Sequence, residues 1–256
     1  MFTDSHTHLY LDAFKEDRGQ MIQRAIEAGV DRLLLPNIDS TSVGPMFSLA
    51  ERYPGHCFPM MGLHPTSVKE NYLEELKIIE SQLDREGIIA IGETGIDLYW
   101  DKTFLSQQEE VFLTQISWAM DLDLPLVIHS RDSFPEIFRA LDEAGGSGLR
   151  GVFHSFTGTL MDLERALSFD FMIGINGIVT FKNSNLAGVV QSIPIKQLLL
   201  ETDAPFLAPV PHRGKRNESS YLPEIAAKVA EIHNLTLEEV ATITSNNAEQ
   251  LFRLKP

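Results

Sequence analysis

A (β/α)8 barrel is the fold class that this sequence predicts, on three observations. Short apolar, β-branched runs alternate with stretches of helical three- and four-residue spacing, the pattern of parallel βαβ units. Eight such runs fit within 256 residues, and each ends in a polar residue: His8, Asn37, His64, Glu93, His129, His154, Asn176 and Asp203. Successive gaps between those residues run from 22 to 36, about the length of one βα unit. Barrels of this class gather their active site at the C-terminal ends of the strands. A doubly wound open sheet is the alternative, but no GxGxxG or P-loop anchors one.

In chain order the strand runs are MFTDSHTH, DRLLLPN, CFPMMGLHP, GIIAIGETG, LPLVIHSRD, RGVFHSF, FMIGIN and QLLLETDAP. Helical spacing occupies Met21 to Ala28, Tyr72 to Leu83, Val111 to Met120, Phe134 to Leu141, Leu160 to Leu167 and Ile225 to Ile232. No Ser/Gly-rich linker or internal repeat divides the chain, so residues 1–256 read as a single domain.

The first run raises its own question. A strand from Phe2 to His8 would aim Asp4, His6 and His8 toward one face. Three polar groups buried together are costly unless partnered. A divalent ion is one such partner, because imidazole and carboxylate are its natural ligands. The competing reading is a frayed polar terminus.

Hydrophobic content of 43% suffices for a sizeable core. No basic, apolar-cored leader begins the chain, and no apolar run approaches bilayer length. The single cysteine, Cys57, excludes an intramolecular disulfide and fits a reducing compartment, so a cytoplasmic location is expected. A net charge of -15 argues against a broad nucleic-acid-coating surface. It leaves room for a strand held locally by metal and a small basic patch. No membrane contact or obligate protein partner is evident.

Taken singly, each strand-end histidine or carboxylate is better explained as a hydrogen-bonded structural residue. The barrel changes this by placing His6, His8, Glu93, His129, His154 and Asp203 around one mouth. Six ligand-type side chains suit two ions. Strands one and eight are neighbours in a closed barrel, so His6, His8 and Asp203 can share one ion. His129 and His154 can share the other, with Glu93 between them.

The motifs DSHTHL, GLHP, IGETGIDLYW, VIHSRD, FHSFTG, LLLETDAPFLAPVPHRGKRNESSYL and NNAEQLF resemble, in order, those of the TatD family of metal-dependent deoxyribonucleases. That family lies within the amidohydrolase-like metal-dependent hydrolases. The resemblance spans essentially the whole chain and implies a TIM barrel with a two-metal centre. It implies His6, His8, Glu93 and Asp203 as ligands of one ion, and Glu93, His129 and His154 as ligands of the other. Some relatives lack the first histidine pair, which is intact here. The bridging lysine of better-known amidohydrolases is replaced by Glu93.

Two ions can activate water and neutralise a departing oxyanion. Asp203 is expected to take the proton from the attacking water while touching metal. Glu201 is expected to orient that water or support the site, the alternative being a hydrogen-bonded interior carboxylate. His64 is read as a substrate contact and Asp4 as support for the ligands. Arg131 offers a planar fork to a phosphate, and Arg213, Lys215 and Arg216 form a basic loop after the eighth strand. Tyr99, Trp100 and Phe104 could stack a base or fold onto the rim.

The function expected is metal-dependent phosphodiester hydrolysis of DNA, exonucleolytic on single-stranded ends. The alternative is hydrolysis of a small amide or ester, including deacylation of an aminoacylated nucleic acid. A non-catalytic metal-binding scaffold is disfavoured, because every proposed ligand is present. Four histidines suit zinc or manganese, whereas cellular phosphodiester chemistry commonly runs on magnesium.

Overall fold

Strand residues divide alternately between two apolar clusters. Leu33 and Leu35 pack outward against the helices, whereas Leu34 joins Met60, Ala90, Val127, Val152 and Leu199 in a second cluster facing the barrel axis. Burial on both faces is what near-continuous apolar strands of a parallel sheet require.

The computed structural model describes residues 1–145 and 148–254. Its strands are β1 (Phe2–Asp4), β2 (Val30–Pro36), β3 (Cys57–Met60), β4 (Ile91–Asp97), β5 (Leu126–Arg131), β6 (Gly151–Phe153), β7 (Met172–Ile175) and β8 (Leu198–Leu200). They pair in parallel as two arcs, β1-β2-β3 and β4-β5-β6-β7-β8. A parallel bridge between Met61 and Ile91 joins the arcs on one side. On the other, the Ser5 amide donates to Leu200 O at 3.0 Å and the Asp203 amide to His6 O at 2.9 Å. The result is a closed (β/α)8 barrel.

The helices are α1 (Arg18–Glu27), α2 (Ser40–Arg52), α3 (Tyr72–Glu80), α4 (Leu105–Asp121), α5 (Phe134–Glu143), α6 (Leu160–Ser168), α7 (Leu186–Val190), α8 (Leu222–His233) and α9 (Leu237–Phe252). Ala248, Leu251 and Phe252 of α9 join the axial cluster around Leu34 and Val127. They close the barrel at the end opposite the polar strand termini.

Three elements differ from the sequence expectation. The first strand stops at Asp4, so His6 and His8 lie in the loop beyond it. That loop is held by the Thr7 amide on Leu34 O at 3.0 Å and the His8 amide on Ala204 O at 2.8 Å. Helix α2 carries Gly44 and Pro45, which hide its periodicity; Asp39 and Ser42 form a reciprocal capping box that starts it. Helix α3 ends at Glu80 instead of continuing to Leu83. Among the described residues no helix is long and apolar enough to cross a membrane.

Candidate metal centre

Alternation aims the site residues. His129, His154 and Glu201 each stand two positions beyond an inward-facing apolar residue, Val127, Val152 and Leu199. They therefore face the axis one layer above the apolar plug. Gly174 on the adjacent strand leaves room for Glu201, because a Cβ there would meet the carboxylate carbon at 2.9 Å.

Glu93 is the hub. Its Oε1 lies 3.1 Å from His64 Nε2, 2.9 Å from His129 Nδ1 and 3.1 Å from His154 Nε2. Its Oε2 lies 3.0 Å from His6 Nε2 and 3.5 Å from His8 Nε2. Asp203 Oδ1 stands 3.9 Å from His6 Nε2 and 3.7 Å from His8 Nε2. Ligand atoms converge to within 4.8 Å in three sets: His6, His8 and Asp203; His6, Glu93 and His154; and His64, Glu93 and His129. All six sequence-derived ligand candidates are thus brought together. His129 Nδ1 and His154 Nε2 meet at the same Glu93 oxygen, and His154 also stacks on His6 with ring centroids 3.6 Å apart.

The donor set fits divalent ions. Three imidazole nitrogens face a single carboxylate oxygen, and the His6 and His8 Nε2 atoms are 3.2 Å apart. Protein hydrogen bonds alone satisfy such an arrangement poorly, and His6 Nδ1 is buried without a partner among the described residues. Neutral imidazoles with carboxylates are the chemistry of a transition-metal or zinc site.

Hydrogen bonds behind the cluster set the imidazole tautomers. The Tyr10 hydroxyl donates to Pro36 O at 2.5 Å, so its oxygen accepts from His8 Nδ1 at 2.9 Å. The lone pair of His8 is left on Nε2, toward Asp203 and Glu93. Glu201 Oε1 accepts the Ser155 amide at 2.5 Å and faces His154 Nδ1 at 3.2 Å, which leaves Nε2 toward Glu93. Asp97 Oδ2 holds His129 Nε2 at 2.9 Å. His64 is the opposite case. Its Nδ1 accepts the Thr66 amide at 3.1 Å, so Nε2 carries the proton and points a donor at Glu93. Asp4 accepts from the Thr202 amide at 2.8 Å and the Thr202 hydroxyl at 2.6 Å, bracing the loop before Asp203.

The electrostatics follow from this crowding. Burial pushes the Glu93 carboxyl up, but His64, His154 and His6 outweigh it and hold the group well below its ordinary range. Burial and the charge of His154 hold His6 well below the usual imidazole value. Burial also lowers His154, yet the Glu93 and Glu201 carboxylates overcome it and raise the ring well above that value. Burial raises Asp203 to about 6 and Asp4 to about 7.

A pocket of about 680 Å3 opens above Glu93, His129, His154 and Asp203. Its rim carries Tyr99, Trp100, Arg131 and Phe206, and the Arg131 guanidinium lies 3.9 Å from the Tyr99 ring centroid. Arg213 lines a neighbouring groove instead, with its guanidinium 3.6 Å from the Phe181 ring centroid. Arg216, expected in the basic loop over the mouth, is turned away onto Asp17, which accepts from it twice at 2.7 Å. Phe104 packs beneath Lys69 rather than lining the pocket. Tyr10 and Asp97 are the residues the sequence reading missed. Asp97 follows Glu93 at even spacing on the same strand, a signal that could have found it.

Residues 3–253 match the family described as TatD related DNase. The chain belongs to the TatD-related DNase family. It is 37% identical over 255 residues to the uncharacterized metal-dependent hydrolase YabD of Bacillus subtilis, spanning 99% of this chain and 100% of that one. Identity is 32% over 257 residues with the 3'-5' ssDNA/RNA exonuclease TatD of Pectobacterium parmentieri, spanning 98% and 99%. The crystal structure of YjjV, a TatD homologue from Escherichia coli, superposes with a TM-score of 0.93 at 28% identity, covering 99% of this chain and 98% of that one. The protein is therefore a TatD-family metal-dependent hydrolase, with its buried His/Glu clusters able to bind metal.

Proposed function

We propose that this TatD-family hydrolase is a deoxyribonuclease that acts on single-stranded ends through two divalent ions, within one domain spanning residues 1–256. In this reading His6, His8, Glu93 and Asp203 hold one ion, and Glu93, His129 and His154 hold the other. The observation that carries it is the Glu93-centred ligand cluster on the floor of a pocket rimmed by Arg131, Tyr99 and Trp100. Cation and aromatic surface together suit a nucleotide, whose phosphate and base need different partners.

Bound divalent ions lower the pKa of water and offset charge on phosphoryl oxygens. The chain's own groups do the rest. Asp203, at the pocket surface, accepts the proton of the attacking water at its carboxylate. His64 lines the pocket against the substrate while its Nε2–H stays on Glu93, and Arg131 forks onto the phosphate. Tyr99 and Trp100 stack the terminal base. Glu201 holds His154 in its tautomer from behind.

The test is an assay of protein reconstituted with Mg2+, Mn2+ or Zn2+ against 5'-labelled single-stranded DNA and a panel of small esters and amides. Stepwise shortening from one end supports the proposal. Turnover confined to the small esters or amides overturns it.

A further inference from the structure

The groove beside the metal pocket is built differently from the rest of this acidic protein. Its volume is about 790 Å3, and Thr157 and Ile178 line both it and the metal pocket, so the two adjoin. The chain holds 36 Asp and Glu residues against 21 Lys and Arg, yet among the described residues the groove's lining contains no carboxylate. The carboxylate of Asp162, close by in sequence, is turned to the Thr159 amide at 2.8 Å. Two exposed cations, Lys182 and Arg213, line the groove instead.

Its other distinctive feature is a preformed stack. The Arg213 guanidinium carbon lies 3.6 Å from the Phe181 ring centroid, and among the described residues its N–H groups make no hydrogen bond or ion pair. The loops carrying the two residues are tied together, since the Val210 amide donates to the Thr180 hydroxyl at 2.9 Å. A planar cation on an aromatic ring beside a mobile-stemmed lysine suits a ligand that alternates planar bases with phosphates. Among polymers, single-stranded nucleic acid has that character.

We propose that this groove carries the single strand beyond the nucleotide held in the metal pocket, with Phe181–Arg213 stacking a base and Lys182 contacting a phosphate. The proposal rests on the nuclease reading above and adds a length-dependent subsite to it.

The test compares binding of a dinucleotide and a longer oligothymidylate, both as cleavage-resistant phosphorothioates, to divalent-ion-reconstituted protein across a salt series. Wild type should bind the longer strand on the order of tenfold more tightly, as one stacked base and a few phosphate contacts provide. Phe181→Ala and Lys182→Glu should each shrink that gain, and Lys182→Glu should reduce the salt slope by roughly 0.7. Lys182 is exposed, so its variant keeps the test open even where Phe181→Ala folds poorly. Equal affinity for both lengths, or variants that retain the gain, overturns the groove assignment while leaving cleavage of the unmodified dinucleotide, assayed in parallel, intact. Failure to bind either phosphorothioate, or to cleave the unmodified strands of the same lengths, removes the nuclease reading, and the groove proposal with it.

Discussion

His154 is held between two carboxylates, and its Nδ1 lies 3.2 Å from Glu201 Oε1 while its Nε2 faces Glu93. Glu201 is fully buried behind the ring and accepts the Ser155 amide with the same oxygen. It acts on the centre through the histidine. Glu201→Ala should therefore lower divalent-ion affinity by about 10–100-fold, the usual cost of losing such support. Glu201→Gln, which keeps an acceptor toward Nδ1, should lose less. Calorimetric titration with Mn2+ reads both; equal affinity in all three proteins removes Glu201 from the metal centre.

Glu93 touches every histidine of the cluster, so its loss should be felt at both proposed ion positions. Glu93→Ala should retain fewer ions per chain than wild type at matched free-metal concentration. Elemental analysis after reconstitution measures this directly. Two ions still bound per chain would leave Glu93 with no bridging role.

Asp203 is the carboxylate of the set nearest the pocket surface, with its side chain 14% exposed. Asp203→Asn should lower turnover on single-stranded DNA by on the order of 10²–10⁴-fold, the range for a lost general base. Metal content is determined alongside to separate proton transfer from ligation. Wild-type turnover in the variant would exclude the role.

The distribution of what sequence reading found has a physical basis. Strand-end residues such as His129 and His154 are legible because barrel topology and period-two alternation both fix where they point. Tyr10 acts by orienting His8, and a tyrosine doing so has no distinctive spacing, whereas Asp97 carried only its even spacing after Glu93 on one strand. The path of the first loop was less accessible: beyond Asp4 it carries His6 across to stack on His154, a turn that no strand pattern encodes. Helix α2 was hidden by Gly44 and Pro45, although Asp39 and Ser42 carried its start signal. Charge clusters are least legible of all. Arg213, Lys215 and Arg216 are near neighbours in sequence, yet Arg213 faces a groove and Arg216 an ion pair.

That ion pair supports the last prediction, which concerns stability rather than catalysis. Arg216 donates to both oxygens of Asp17 at 2.7 Å and to Ala13 O at 2.7 Å, while its guanidinium covers the Phe14 ring at 4.6 Å. Arg24 adds a further contact to Asp17 at 3.1 Å, and both arginines also approach Glu218. The hydrogen bonds from Arg216, then those from Arg24, hold the Asp17 carboxyl down at about 2, against about 3.9 in an unfolded chain. A depressed folded-state value means the unfolded chain binds the proton more readily. Asp17 thus contributes its full stabilisation above about pH 4, and that contribution drains away as pH falls toward 2. Arg216→Ala should cost about 1 kcal/mol near neutral pH, the scale of a partly exposed bidentate pair. It should also flatten the part of the acid-stability curve between about pH 4 and pH 2 that Asp17 supplies. Thermal melts of wild type and variant across that range read both effects. Because Arg216 is committed to Asp17, the same variant should keep the wild-type salt slope for single-stranded DNA. A lowered slope with an unchanged melting curve would return Arg216 to the nucleic-acid surface.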